Sequence, residues 1–281
     1  MKATTKQVLV GTAWLITLLA VIGGTMLWQH QVRKPRRNST SVMVTSTERI
    51  PSVLLLDSSL DTEQQRQLIA TMQRNNGSQS VINVQIFKSG KLKLSGKLRE
   101  SDNRPYLKLQ LPKNVGATKQ SQLIEATLTT IKTKFQFKQY NLVSYGTGGL
   151  IATHYLENAP RRLSPAHFIT IATAFNGTST QKNSQRITPV ATSHRTAQLT
   201  QFVNKRGVID PSIKVLVVAG NAKGKRNGDG VVPLQSALAA QSVFRPIVKT
   251  YQQTVIRGWF AGHTSILESW KLSNVIQNFI N

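Results

Sequence analysis

Cysteine is absent from the 281 residues, and acidic residues are scarce: 11 Asp+Glu stand against 36 Lys+Arg, a formal net charge of +25. The missing thiols exclude disulfides, thiolate zinc sites, iron–sulfur clusters and cysteine nucleophiles. They leave the compartment open, because extracellular proteins without disulfides are ordinary where no oxidising machinery operates. Charged residues of both signs reach only 17 %, below the usual ~25 %, so the excess reflects depletion of acids more than enrichment of bases. The Lys and Arg residues are spread along the chain without an aromatic–basic signature or recognition helix, and nucleic acid is not expected as a partner. No two histidines have metal-ligand spacing, so neither a metal nor another cofactor is expected. The positive field does imply attraction to anionic polymers or anionic lipid headgroups. An apolar fraction of 40 % supplies a real core and excludes wholesale disorder.

One long hydrophobic run is present. Val8 to Trp28 carries no charge over 21 residues, enough helix to cross the roughly 30 Å hydrocarbon layer. Lys2 and Lys6 precede it and Trp28 stands at its far edge, where interfacial aromatics collect. No clear A-x-A cleavage site follows. Residues 1–7 are therefore read as an n-region, 8–28 as a transmembrane anchor, 29–50 as a polar linker and 51–281 as the folded domain. Secretion after signal cleavage is the alternative. Arg33, Lys34, Arg36 and Arg37 follow the span, and a strict positive-inside count would put the domain in the cytoplasm. The signal-like start, together with the resemblance described below, favours a single-pass protein with its domain outside the cell.

The domain opens with strand-like PSVLLLD at 51–57. Asp61 with Gln64 three residues on is a helix-start pattern. VINVQIF (81–87), Ser89-Gly90 and KLKLSGKL (91–98) read as a hairpin, and PYLKLQLP (105–112) as another strand. Ile124, Leu128, Ile131 and Phe135 recur at helical spacing, predicting a helix over about 118–135. Strands are expected at AHFITIAT (166–173), IKVLVVAG (213–220) and PIVKTYQQTVI (246–256), and a closing helix carries Leu272, Val275, Ile276 and Phe279. Strands alternating with helices predict an α/β fold with a doubly wound, mostly parallel sheet.

The most informative segment is QYNLVSYGTGGLIATHYLEN, 139–158. A strand passing through a tight glycine turn into a helix is the architecture of the G-x-S-x-G nucleophile elbow. Here the chain resembles the Gram-positive cell-surface α/β-hydrolases of largely unknown function, whose segment reads NLVGHSMGG. Asn141, Leu142, Val143, Gly148 and Gly149 match; Ser144 replaces the first glycine, Tyr145 the histidine and Gly146 the nucleophilic serine. Glycine takes the elbow's positive φ without steric cost, so the exchange relieves strain while removing the attacking oxygen. Ser144, at the strand end, is the fallback nucleophile, and Thr147, at the helix start, is a further hydroxyl to consider. Both also read as ordinary backbone-bonding residues.

The resemblance implies further positions. Asp229, in KGKRNGDGVVPLQSAL, matches the family's triad acid, and His263, in GWFAGHTSILES, its catalytic histidine. A turn aspartate bonded to its own backbone is the plain alternative for Asp229. His154 and His167 read as structural, and nothing points to a role for His30 or His194. ITIATAFNGT (169–178) resembles the family's strand-and-loop ending in Phe-Asn-Gly. The family's first strand runs into H-G-x-G-G, whose amides face the oxyanion. This chain has Asp57-Ser58 there and no glycine; a carboxylate beside a forming oxyanion opposes acyl transfer. The expected function is thus a degenerate hydrolase acting by binding. The alternatives are an active serine esterase, lipase or amidase using a non-standard hydroxyl such as Ser144, and a binder of anionic cell-wall polymers or lipid headgroups.

Overall fold

The computed structural model describes residues 14–26, 49–184, 187–222, 224 and 227–281. It divides into two units, Met1–Met43 and Val44–Asn281. In the first, residues 14–26 form helix α1, with Trp14, Leu15, Leu18 and Met26 exposed. The expected span 8–28 extends beyond the described residues at both ends, and most of the linker and His30 fall outside them. Among the described residues no helix is long and apolar enough to cross a membrane.

The second unit is built on one eight-stranded sheet. Its strands are β1 (Ser52–Leu55), β2 (Val81–Ile86), β3 (Leu92–Ser95), β4 (Tyr106–Gln110), β5 (Asn141–Tyr145), β6 (His167–Ile171), β7 (Lys214–Ala222) and β8 (Thr250–Gly258), in the spatial order β3-β2-β4-β1-β5-β6-β7-β8. Only the β2–β3 hairpin pairs antiparallel; every other pairing is parallel. The expected doubly wound, mostly parallel sheet is present. β8 begins four residues later than the apolar pattern suggested, because residues 246–249 complete the preceding turn before the chain pairs with β7.

Helices α2 (Thr62–Gln73), α3 (Ala117–Phe135), α4 (Thr147–Leu156), α5 (Ala197–Lys205), α6 (Leu234–Leu238), α7 (Gln241–Phe244) and α8 (Trp270–Ile280) complete the unit. The pleat of the central strands sorts them onto two faces. Val53 and Leu55 of β1 pack with Leu128 and Ile131 of α3, Tyr155 of α4, Phe202 of α5 and Phe244 of α7. Leu54, between them in sequence, joins Leu68 and Met72 of α2 and Leu272 and Ile276 of α8 on the other face. Strands covered on both faces need apolar residues at successive positions, which is why β6 and β7 read as runs rather than alternations. The Asp61 signal forms a full capping box: its side chain accepts from the N–H of Gln64 at 2.8 Å while the Gln64 side chain accepts from the N–H of Asp61 at 3.1 Å.

Candidate functional site

Because β1, β5, β7 and β8 run parallel, the loops leaving their C-terminal ends open on one edge of the sheet, where ligands of α/β folds collect. Asp57 follows β1, Gly146 follows β5, Asp229 follows β7 and His263 follows β8. Residues scattered over two hundred positions are gathered there by topology alone.

The acid and the histidine meet. His263 Nδ1 lies 2.7 Å from Asp229 Oδ2. A second bond between the same residues runs along the backbone, the N–H of His263 donating to the carbonyl of Asp229 at 2.9 Å. Asp229 also does what a turn aspartate does: its Oδ1 accepts from the N–H groups of Val231 at 2.9 Å and Val232 at 2.6 Å. The two readings of this residue are therefore not exclusive. Asp229 is buried and His263 largely so. Gly220 of β7 allows the close approach, since a Cβ there would collide with the carbonyl of Ala261 and meet Asp229 Cβ at 2.9 Å.

Tyr145, the residue between Ser144 and Gly146, completes this side. Its hydroxyl donates to the carbonyl of His263 at 2.7 Å, and the two rings lie 5.2 Å apart between centroids. Burial first, then the carboxylates of Asp229 and Asp57, push the phenol well above its ordinary pKa, so it remains a donor. Its positioning role was not apparent in sequence.

The elbow half differs. Gly146 has φ 57° and ψ −129°, a conformation that strains any residue bearing a side chain. Gly148 and Gly149 make the close contact of α4 with the sheet: a Cβ on the first would enter the carbonyl of Leu55, and on the second the hydroxyls of Thr173 and Thr170. The elbow backbone is thus intact while its side chain is missing. The space is occupied. A Cβ placed on Gly146 would lie 2.7 Å from Asp57 Oδ2 and 3.0 Å from Asp57 Cβ. That same Oδ2 accepts from the backbone N–H of Thr147 at 2.9 Å, and Oδ1 accepts from the N–H of Ser59 at 2.9 Å. Partial burial works against the Asp57 charge, but these backbone donors outweigh it and hold its pKa below the ordinary 3.8. The carboxylate is an anion held by amides.

The fallback hydroxyls are elsewhere. Ser144 is fully buried within β5, and its Oγ donates to the carbonyl of Ile169 at 3.1 Å on neighbouring β6. Thr147 is exposed at the first turn of α4. Among the described residues, no hydroxyl hydrogen bonds to the His263 ring. His167 is held by Asn141 Oδ1 at 2.8 Å, with its ring edge-on to Phe279, and burial, reinforced by Lys214 and Arg104, lowers its pKa to about 4. His194 lies in a short turn beside Ser193. His154, expected to be structural, is buried on α4 and also borders an open groove beside the elbow. No group of side chains suited to a metal ion occurs among the described residues.

Residues 39–281 match the family described as alpha/beta hydrolase of unknown function, DUF915. The chain belongs to that family. Among solved structures it is similar to the product of the lin2722 gene of Listeria innocua, with a TM-score of 0.74 and 23% identity over 83% of this chain and 94% of that one. It is also similar to a protein of Lactobacillus plantarum WCFS1 to which the role of cell surface hydrolase is ascribed (TM-score 0.67, 21% identity, 84% and 92% covered). A more distant likeness is to Bacillus licheniformis lipase BlEst2 in its mature form (TM-score 0.51, 14% identity, 82% and 91% covered). No curated protein matches the chain. The fold is therefore the alpha/beta-hydrolase fold, with esterase- and lipase-like structural neighbours.

Proposed function

We propose that this protein is a membrane-tethered cell-surface domain of the alpha/beta-hydrolase fold that binds its ligand without turning it over. The observation that carries this reading is the Asp57 carboxylate on the Thr147 amide. In the hydrolase elbow, the N–H of the residue after the nucleophile is one of the two donors that stabilise the oxyanion. Here that donor is already engaged by a fixed negative charge, and the preceding residue, Gly146, has no side chain to attack with. Asp229 and His263 persist beside it because they also order the loop after β7.

Tethering is supported by the uncharged run 8–28, and an extracytoplasmic placement by the cell surface role ascribed to the Lactobacillus plantarum neighbour. The surface charge supports attraction to anionic envelope polymers or lipid headgroups. Among the described residues only two Lys or Arg side chains make salt bridges, Arg66 with Glu63 and Arg99 with Asp102, so most of the positive charge is uncompensated.

One observation favours a second reading, an active serine hydrolase: the Asp229–His263 pair has the contact that orients a general base. Labelling the full chain with a fluorophosphonate probe separates the two. The binding reading expects no covalent adduct. An adduct that disappears in Ser144→Ala, or in Thr147→Ala, would establish the active reading instead.

A further inference from the structure

Beside the elbow, α3, α4 and α5 enclose a groove of about 240 Å³. Its polar lining is Gln120, Thr147, His154, Gln198 and Gln201, over apolar surface that includes Leu150 and Phe202. In a chain of 36 Lys+Arg, none of the described lining residues is a Lys, Arg, Asp or Glu.

The three carboxamide heads make no hydrogen bond within the protein among the described residues. Each offers a donor and an acceptor. His154 is also presented neutral, since burial and then the nearby charge of Lys205 lower its pKa, leaving one ring nitrogen as donor and the other as acceptor. The groove thus offers paired donors and acceptors without net charge. An anionic ligand would want a cation or a convergent set of N–H donors. An acyl chain would desolvate the three carboxamides and return no hydrogen bonds. A sugar ring suits both surfaces. Its hydroxyls donate and accept, and its C–H face covers apolar side chains. The volume lies below the ~300–1,000 Å³ common for drug-sized ligands, so a single ring is accommodated and the rest of the ligand extends out of the open side.

We propose that this groove binds a neutral saccharide, held by Gln120, Gln198, Gln201 and Thr147 against Leu150 and Phe202. The inference rests on the reading of the domain as a binder and supplies the ligand class for a site that the Asp229–His263 pair does not include. Thr147 joins the two, since its N–H bonds to Asp57 and it lines the groove.

The test uses the full chain in nanodiscs, titrated with chitotetraose and with maltotetraose, and with inorganic phosphate and octanoate as controls, followed by saturation-transfer NMR and calorimetry. The expected result is saturable binding of at least one tetrasaccharide, with a dissociation constant of about 1 mM or tighter. Gln198→Ala/Gln201→Ala, both exposed helix positions that tolerate truncation, should weaken it about tenfold or more, and Gln120→Ala should weaken it separately. The proposal is overturned if neither tetrasaccharide binds, if the glutamine variants bind as tightly as the parent, or if phosphate or octanoate takes the groove instead. Saturable binding followed by cleavage of the saccharide would support the groove and contradict binding without turnover.

Discussion

The two halves of the site have diverged. On the side built by the loops after β7 and β8, the contact expected of a hydrolase is complete: Asp229 reaches His263 at 2.7 Å, and Tyr145 holds the His263 backbone at 2.7 Å. On the side built after β1 and β5, the elbow keeps its backbone but Gly146 has no side chain, and Asp57 fills the space and takes the Thr147 amide at 2.9 Å. Under the binding reading, the difference explains how half of a catalytic apparatus persists without catalysis. Asp229 satisfies two turn amides as well as the imidazole, so its loss would cost stability whatever the chemistry. A nucleophilic serine at a strained φ offers no such structural return, and its replacement by glycine relieves strain.

The comparison makes a graded set of predictions. The largest effect is expected from Asp229→Ala, which leaves buried donors without an acceptor and should lower unfolding free energy by about 3 kcal/mol in denaturant titration. A loss no greater than that of Asp57→Ala would erase the proposed structural asymmetry. Glu157 provides a control outside both halves. It is buried at the end of α4 with no partner for either carboxyl oxygen, and burial, partly offset by Lys205, pushes its pKa up to about 8 from the ordinary 4.5. Because the folded state binds the proton more tightly, stability falls as pH rises from 4.5 to about 8. Glu157→Gln should therefore stabilise the protein by about 1–2 kcal/mol at alkaline pH, with the gain vanishing in acid; melting curves across pH check the sign. The smallest effect belongs to Asp57→Asn. Its folded pKa is depressed, so its stabilisation is complete above the ordinary 3.8 and disappears as pH falls through the folded value. At neutral pH the change should cost about 1 kcal/mol or less, because the group is partly exposed. A cost that grew toward low pH would mean the carboxylate is not held by these amides.

Much of the fold was legible in the sequence. The apolar, β-branched runs of β6 and β7 announce strands covered on both faces, and the spacing of Ile124, Leu128 and Ile131 announces the buried stripe of α3. The described residues between 174 and 196 were not legible, because side chains reaching distant backbone hold them in place. Asn176 donates to the carbonyls of Lys182 and His194 and accepts from the N–H of Thr196, bonds that leave no periodicity. Of the site, the positions of Asp229 and His263 could be picked out from motif and chain order. The presence of Asp57 near the oxyanion loop could be noted, but not its bond to Thr147, which joins residues 90 positions apart. The groove beside His154 escapes the sequence for a related reason: the residue is buried on an apolar helix that packs on the sheet, and α5, distant in sequence, forms the facing wall.

The central claim is that Asp57 has refilled an elbow that is otherwise ready for chemistry. The measurement that tests it most directly is ester hydrolysis by three proteins compared side by side: the parent chain, Gly146→Ser, and Gly146→Ser combined with Asp57→Gly. The account predicts background rates for the first two, since the new side chain would collide with Asp57 and the Thr147 amide stays engaged. It predicts a gain of about 10²-fold or more for the double variant, the scale of one oxyanion donor. A parent chain that already turns over ester, or a Gly146→Ser variant as active as the double one, would contradict it.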